Sequence, residues 1–240
     1  MKLVPRPPVG RVYETTRDIR VADTDLDGRL RLDAVARFVQ DIGADDVADA
    51  GHPSAPWVVR RSVVVADAWP SLHEDLQVAT WCGATGNRWA ERRVSFRSPT
   101  GDVEVGTLVI HLDDSGRPAP LPAWFHETYA SAAMGRTLTS RLALPAPPDD
   151  AVRSPWQLRA TDLDVYRHVN NARTWEVVED VCFRFGMRPR QATMEWLSSV
   201  EPDDVVELLV ARRGDGFGAW LCVGDAVRVA ADVVAGDGSR

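Results

Sequence analysis

Two stretches decide the fold: Ala22-Asp23-Thr24-Asp25-Leu26-Asp27-Gly28-Arg29-Leu30 near the start of the chain, and Thr161-Asp162-Leu163-Asp164-Val165-Tyr166-Arg167-His168-Val169 well past its middle. Shifting one onto the other pairs Asp23 with Asp162 and Asp25 with Asp164. The same shift pairs Phe38-Val39-Gln40-Asp41 with Val177-Val178-Glu179-Asp180. An ungapped match over roughly twenty positions indicates two copies of one structural unit.

A helical pattern follows the first copy. Its apolar residues recur at the three- and four-residue spacing of one helix face; they are Leu32, Val35, Ala36, Val39 and Ile42. We expect Asp33 to cap this helix and Gly51 with Pro53 to end it.

The second copy is followed by the same spacing, carried by Ala172, Trp175, Val178, Cys182 and Phe185. Asn170 or Asn171 is the expected cap, because a side-chain oxygen at the helix start can accept a free backbone N–H. Gly186 and Pro189 are expected to close the helix.

Strand patterns come after each helix. Leu76, Val78 and Thr80 alternate with other residues, and residues 88–96 and 103–112 flank a Ser-Pro-Thr-Gly turn. In the second half, Gly-Asp turns separate residues 205–211, 220–223 and 227–234. Neighbouring strands joined by short turns form antiparallel sheet, so the fold class is α+β. The proline-rich segment Pro145-Ala146-Pro147-Pro148 separates an N-terminal domain over residues 1–140 from a C-terminal domain over residues 150–240.

Composition narrows the classes of function. The net charge is -7 over 240 residues, which argues against a nucleic-acid partner. No apolar run is long enough for a membrane span, and the N-terminus lacks the apolar core of a secretory signal. The cysteines Cys82, Cys182 and Cys222 lie far apart, which favours reduced thiols and a cytoplasmic location.

The chain resembles the acyl-ACP thioesterases of plants and bacteria from about Arg11 to Val234. The most specific motif is Asp162-Leu163-Asp164 followed by His168-Val169-Asn170-Asn171, a string with a close relative in single-hotdog thioesterases. The resemblance implies a double hotdog, in which two antiparallel sheets each wrap a long central helix. It also implies hydrolysis of acyl-ACP to free fatty acid and holo-ACP in fatty acid biosynthesis. The first domain would line the acyl tunnel and the second would be catalytic.

Asp164, His168 and Asn170 are the catalytic candidates. Thioester hydrolysis needs an activated water or a carboxylate nucleophile, a role that suits Asp164. His168 is placed to orient the carbonyl or to manage the proton. Backbone N–H groups from Val169 to Ala172 begin a helix and suit an oxyanion. The structural alternative is that Asp164 caps a turn and His168 is a buried, satisfied histidine.

Further candidates for substrate binding are Tyr166, Ser199 and Trp175. Larger family members carry an asparagine at the place of Tyr166 and a glutamate on a later strand at the place of Ser199, so two polar groups of the family pattern are absent. In the first copy, Arg29 stands where the second has His168, and we expect an ion pair between Arg29 and Asp25.

The acidic residues of the first copy resemble part of a calcium loop, and the arginines of the first half allow a carrier-docking surface. Asp23, Asp25, Asp27 and Gly28 look like the start of a calcium loop, but the twelfth position is Ala34 rather than a glutamate. No metal or other cofactor is expected. A set of arginines in the first half forms either a solvated strand face or a docking surface for an acidic carrier protein, with Arg92 and Arg93 as the docking candidates. The set comprises Arg60, Arg61, Arg88, Arg92, Arg93 and Arg97.

The leading prediction is therefore an acyl-ACP thioesterase. One alternative is an acyl-CoA thioesterase on the same scaffold, and another is a non-catalytic acyl or acyl-carrier binding protein with a decayed site. The substrate partner is acyl carrier protein or an acyl-CoA, with no nucleic acid and no membrane span, in a monomer or homodimer.

Overall fold

The computed structural model describes residues 3–52 and 56–236, and the chain divides into two compact units, Met1–Arg141 and Leu142–Arg240. Unit 1 contains β1 (Val12–Asp18), α1 (Leu32–Asp49), β2 (Trp57–Ala68), β3 (Asp75–Thr85), β4 (Trp89–Arg97), β5 (Asp102–His111) and α2 (Ala123–Ala133). Unit 2 contains β6 (Val152–Trp156), α3 (Asn171–Phe185), β7 (Pro189–Trp196), β8 (Val206–Arg213), β9 (Gly216–Val223) and β10 (Ala226–Ala235).

Both units have the same strand order. In unit 1 the order is β1-β3-β4-β5-β2, and in unit 2 it is β6-β8-β9-β10-β7. Every one of these neighbouring pairs is antiparallel. In each unit the long helix lies in sequence between the first strand and the second. The predicted α+β class with antiparallel sheet is confirmed, and the repeat extends from the D-x-D segment to the sheet.

α1 buries the apolar face that its spacing predicts, except that Ala36 is only half-buried. Phe38 packs against Phe96 of β4, with ring centroids 6.5 Å apart. The prediction that Asp33 caps this helix is wrong. The helix already begins at Leu32, so Asp33 lies inside its first turn, where its carboxylate accepts two hydrogen bonds from the Arg31 guanidinium at 2.7 and 2.9 Å.

The C-terminal end of α1 follows the predicted pattern as far as the structure describes it. Ala50 is the C-cap residue of the helix. Gly51 follows it with a positive φ of 73°, and its N–H donates to the Ala48 carbonyl. Pro53, the other predicted terminator, lies outside the described residues.

α3 begins and ends where the sequence predicts. The Oδ1 atom of Asn170 accepts a hydrogen bond from the Ala172 N–H at 2.8 Å, which caps the helix. Gly186 ends it at a φ of 60°, in the left-handed region that glycine adopts without a Cβ clash. Inside the unit, the Trp175 ring meets Trp196 of β7 edge-on at 6.4 Å.

α2 is an element that the sequence patterns did not predict. It follows Pro122 and buries Phe125, Tyr129, Ala132 and Ala133 in a cluster with Trp81 and other apolar residues of unit 1. None of the α-helices among the described residues is long and apolar enough to cross a membrane.

The D-x-D turn is built twice with the same hydrogen bonds. The N–H two residues after the second aspartate donates to its Oδ1, at 3.0 Å for Asp25 and 2.9 Å for Asp164. The N–H three residues after donates to the aspartate carbonyl, at 3.1 and 3.0 Å. The carbonyl four residues after accepts the aspartate N–H, at 2.9 and 3.0 Å. The two turns therefore share these three hydrogen bonds, and the first copy adds a fourth, from the Arg29 N–H to the Asp25 Oδ1 at 2.9 Å.

One backbone position in this turn has a positive φ in both copies, occupied by Gly28 at 78° and by Arg167 at 63°. A non-glycine residue there costs about 1–2 kcal/mol. We expect Arg167→Gly to raise the free energy of unfolding by up to ~1 kcal/mol, since glycine loses some of this gain to chain entropy. Gly28→Ala should lower the free energy of unfolding by ~1 kcal/mol, because alanine is strained at a positive φ. No steric clash adds to this cost, since the nearest atom to a Cβ at this position is in Leu72, at an ordinary 3.7 Å. Urea denaturation measures both changes, and shifts in the same direction would contradict the strain.

A buried carboxylate joins α1 to β4 and to Arg11, the residue just before β1. Asp46 is 1% exposed, and it accepts hydrogen bonds from the Arg11 Nε at 2.7 Å and the Arg92 Nη1 at 2.8 Å. We expect Asp46→Asn to lower the free energy of unfolding by ~3 kcal/mol, because two guanidinium groups lose their buried counter-charge. The matched control is Asp49→Asn. The side chain of Asp49 is 56% exposed and also pairs with Arg11, so its loss should cost less than ~1 kcal/mol. Equal losses in thermal unfolding would refute the network's role.

Candidate functional site

Asp164 lies on the turn that leads into α3. Its half-buried carboxylate accepts the Tyr166 N–H on Oδ1 at 2.9 Å and the Asn170 side-chain amide on Oδ2 at 3.3 Å. The same Asn170 caps the helix through its other side-chain atom. One asparagine therefore couples the start of α3 to the orientation of the Asp164 carboxylate.

His168 is on the same turn as Asp164, and its backbone carbonyl accepts the Asp164 N–H at 3.0 Å. Its side chain is 46% exposed, so the alternative of a buried, satisfied histidine does not describe it. Its Nε2 atom lies 3.5 Å from Oε1 of Glu201. The turn thus presents an imidazole to solvent beside a positioned carboxylate.

Glu201 is a residue that the sequence reasoning missed. Its carboxylate accepts the Ser199 hydroxyl at 2.6 Å, and its N–H donates to the Asp204 carboxylate at 2.8 Å. The sequence shows it only as an acidic residue two positions after Ser199. The resemblance to the family points to position 199 itself, where larger members have a glutamate. The fold thus places the carboxylate of Glu201, two residues from Ser199, beside His168.

The prediction that several N–H groups at the start of α3 are available for an oxyanion is wrong for three of them. The N–H of Val169 donates to Val200 at 3.0 Å, that of Asn170 to Asp162 at 2.8 Å, and that of Ala172 to the Asn170 cap. Among the four, within the part of the chain that the structure describes, only the Asn171 N–H makes no hydrogen bond. It is the first residue of the helix, where a free donor is expected.

The substrate-binding candidates occupy different environments. Tyr166 is 72% exposed at the tip of the turn, and Ser199 is exposed and bonded to Glu201. Trp175 is 1% exposed and belongs to the core, packed on Trp196. Of these three candidates, Tyr166 and Ser199 are open to solvent and Trp175 is not. The substrate contacts of all three stay predictions.

Arg93 is wrong as a docking residue. Its side chain is buried at 0% exposure, donates to Glu104 at 2.7 Å and lies over the Trp81 ring. Arg92 is held by Asp46 on the α1 side of the sheet, since alternate residues of a strand point to opposite faces. These arginines stabilise unit 1 through internal ion pairs, so charge reversal at either position would test folding and not carrier docking.

The first copy of the turn carries the predicted ion pair. The Arg29 Nε donates to the Asp25 Oδ2 at 2.8 Å, and the guanidinium lies 4.8 Å over the Trp69 ring. A fixed cation thus stands where the second copy has an imidazole. Asp23 is likewise paired with Arg37 at 2.9 Å.

Across residues 3–52 and 56–236 no group of three or more His, Cys, Asp or Glu side chains is arranged to hold a metal ion.

The cysteines are all buried. Burial raises the pKa of the Cys82 thiol to about 12, and burial also raises the pKa of Cys222. A thiol so far from ionisation is a poor nucleophile at neutral pH. Neither of these thiols therefore competes with Asp164 for the attacking role.

Unit 1 contains a groove of about 630 Å³. Ser95 and Arg97 line it, and they alternate along β4 with Phe96, which faces α1. The groove therefore lies on the sheet face turned away from the helix. None of the predicted catalytic residues lines it, so it is a feature separate from the Asp164 turn.

Comparison with known proteins identifies the family. The model of the acyl-ACP thioesterase N-terminal domain matches residues 10–119, and that of the acyl-ACP thioesterase C-terminal domain matches residues 146–221. An uncharacterized protein of Mycobacterium tuberculosis is 31% identical over 239 residues, covering 96% of this chain and 95% of that protein.

Two plant proteins are also similar. The chloroplastic palmitoyl-acyl carrier protein thioesterase of Arabidopsis thaliana is 26% identical over 248 residues, covering 90% of this chain and 59% of that protein. The structure of the 12:0-ACP thioesterase from Umbellularia californica shares the fold, with a TM-score of 0.76 at 21% identity over 93% of this chain and 96% of that one. With both of its domain models matched in order, the chain belongs to the acyl-ACP thioesterase family.

Proposed function

We propose that this protein hydrolyses the thioester of a fatty acyl-ACP, with Asp164 as the group that activates water. The observation that carries the proposal is the Asp164 carboxylate, held by two N–H donors on the turn that also presents His168. Family membership supports thioester hydrolysis as the reaction class. The acyl-ACP substrate is a finer proposal than that reaction class.

The reaction is balanced without a cofactor. The water oxygen bonds to the thioester carbonyl carbon while its proton passes to the Asp164 carboxylate. The negative charge on the carbonyl oxygen is stabilised by the free Asn171 N–H at the positive end of the α3 dipole. The C–S bond then breaks, and the proton held by Asp164 is delivered to the leaving sulfur through His168. The products are a free fatty acid and the carrier thiol.

The two units have unequal roles in this proposal. Unit 2 carries the reacting groups, whereas the Arg29 guanidinium occupies the equivalent place in unit 1 and neutralises Asp25. Unit 1 would then contribute the acyl tunnel of a tandem hotdog pair, a proposal that the identical strand order of the two units supports. A cytoplasmic location suits a substrate carried on a soluble acyl carrier protein.

A non-catalytic acyl-carrier binding protein is the second candidate. Tyr166 and Ser199 stand where larger family members have an asparagine and a glutamate. Against decay stands the ordered set of hydrogen bonds around Asp164 and Glu201. Binding of acyl-ACP without turnover by folded wild-type protein would establish this candidate.

Asp164→Asn tests the base. The amide keeps the shape and can still accept the Tyr166 N–H, but it cannot take a proton from water. We expect turnover of acyl-ACP to fall at least ~100-fold, the lower range for positioned acid–base groups. The matched control is Asp25→Asn, which makes the same change in the equivalent turn of unit 1. Turnover per folded molecule should be retained in that variant.

The result that contradicts this role is a folded Asp164→Asn variant that hydrolyses acyl-ACP at the wild-type rate. A fall of equal size in Asp25→Asn would instead show that both turns support the reaction through stability alone.

The carrier is tested by comparing acyl-ACP with the acyl-CoA of the same chain. Both present the same phosphopantetheine thioester, so a preference measures contacts with the carrier protein. We expect kcat/KM to be at least ~10-fold higher for acyl-ACP, which corresponds to about 1.4 kcal/mol of carrier contact. Equal values, or a preference for acyl-CoA, would favour the acyl-CoA thioesterase instead.

A further inference from the structure

Glu201 brings a second carboxylate to the candidate site. It lies beyond β7, yet its Oε1 atom is 3.5 Å from the His168 Nε2. Asp164 and Glu201 have different partners: Asp164 accepts N–H groups of its own turn, and Glu201 accepts the Ser199 hydroxyl and faces the imidazole. Carboxylates in such different surroundings are suited to different tasks.

The segment that carries Glu201 is fastened beside the turn. The Val169 N–H donates to the Val200 carbonyl at 3.0 Å, which joins the residues next to His168 and Glu201 directly. The Glu201 N–H donates to the Asp204 carboxylate at 2.8 Å, and the Asp204 N–H returns to the Glu201 carbonyl at 3.1 Å. The contact between Glu201 and His168 is therefore held by backbone hydrogen bonds on either side of it.

We propose that Glu201 is a positioning residue that orients the His168 imidazole and stabilises its positive charge as a proton passes to the leaving sulfur. The inference rests on the proposed hydrolysis and assigns a group that acts through His168 without touching the substrate. A base oriented by a third group is the general arrangement of activated acid–base pairs. Ser199, which lacks a carboxylate of its own, serves here to hold the Glu201 carboxylate in place.

The competing explanation is an ordinary surface ion pair. Both side chains are about half exposed, at 46% and 49%, and exposed pairs contribute about 0–1 kcal/mol to stability. A surface pair of this kind predicts a small change in stability and no change in turnover. The two explanations therefore differ in kcat.

Glu201→Gln separates them, because the amide keeps the size of the side chain and removes the charge. We expect kcat for the thioester substrate to fall at least ~10-fold with KM unchanged, because the imidazole loses the carboxylate that faces it and stabilises its positive charge. The matched control is Asp203→Asn, which removes the same charge from an exposed position in the same segment. Its kcat should equal that of wild type.

A second variant tests the role by rescue. In the double variant Ser199→Glu/Glu201→Gln, the carboxylate moves two residues along the chain and can still approach His168. We expect this variant to regain part of the kcat that Glu201→Gln loses, whereas a purely structural role for Glu201 gives no reason for recovery.

The outcomes distinguish this inference from the proposed function. If wild type is active and folded Glu201→Gln matches it in kcat, the positioning role is overturned and the hydrolysis stands. It is equally overturned if Asp203→Asn loses as much kcat as Glu201→Gln. If wild type hydrolyses neither acyl-ACP nor acyl-CoA, the proposed function fails, and the role of Glu201 fails with it.

Discussion

The buried carboxylate of Asp162 holds the candidate site together. It accepts the Arg159 N–H at 2.8 Å and the Arg159 guanidinium at 2.6 Å on one side of the turn, while its backbone carbonyl accepts the Asn170 N–H at 2.8 Å on the other. One residue thereby joins Arg159, before the turn, to Asn170, after it, and closes the chain between them into a loop. Asp164 and His168 lie inside that loop, and α3 begins directly after it, at Asn171. A buried charge without these partners would be strongly unfavourable, so the loop and the ion pair stabilise each other.

The same closed loop occurs in unit 1, and the contrast between the copies explains how one scaffold carries one site. Asp25, like Asp164, accepts the N–H two residues after it. Its carboxylate also accepts the Arg29 N–H and the Arg29 guanidinium, which packs on Trp69. The charge of the Asp25 carboxylate is thus balanced by a guanidinium within hydrogen-bond distance. Within the part of the chain that the structure describes, the donors to the Asp164 carboxylate are the neutral N–H groups of Tyr166 and Asn170. We propose that this electrostatic difference makes the second turn reactive and the first one structural.

The sequence predicted those parts of the molecule whose causes are local. Some features depend on residues that are only a few positions apart, and the structure confirms them. They are the buried helix faces, the Asn170 cap, the Gly186 terminator and the hairpin strands. Long-range burial was not predictable in the same way. Arg93 looked like a surface charge because its partners Glu104 and Trp81 come from other strands. Glu201 was overlooked because its contact with His168 forms only when β7 returns past α3. α2 has a weak apolar periodicity, so packing onto Trp81 rather than local pattern defines it.

We propose that the residue four positions after the aspartate decides whether this turn is reactive. The most direct measurement is the rate of thioester hydrolysis by His168→Arg, which would reproduce in unit 2 the ion pair that Arg29 makes with Asp25. Since unit 1 already folds around that pair, the variant should retain the wild-type unfolding temperature. Its hydrolysis of acyl-ACP should fall to the background rate, because the guanidinium would neutralise Asp164 and cannot deliver a proton. A folded His168→Arg protein that hydrolyses acyl-ACP as fast as wild type would contradict the account.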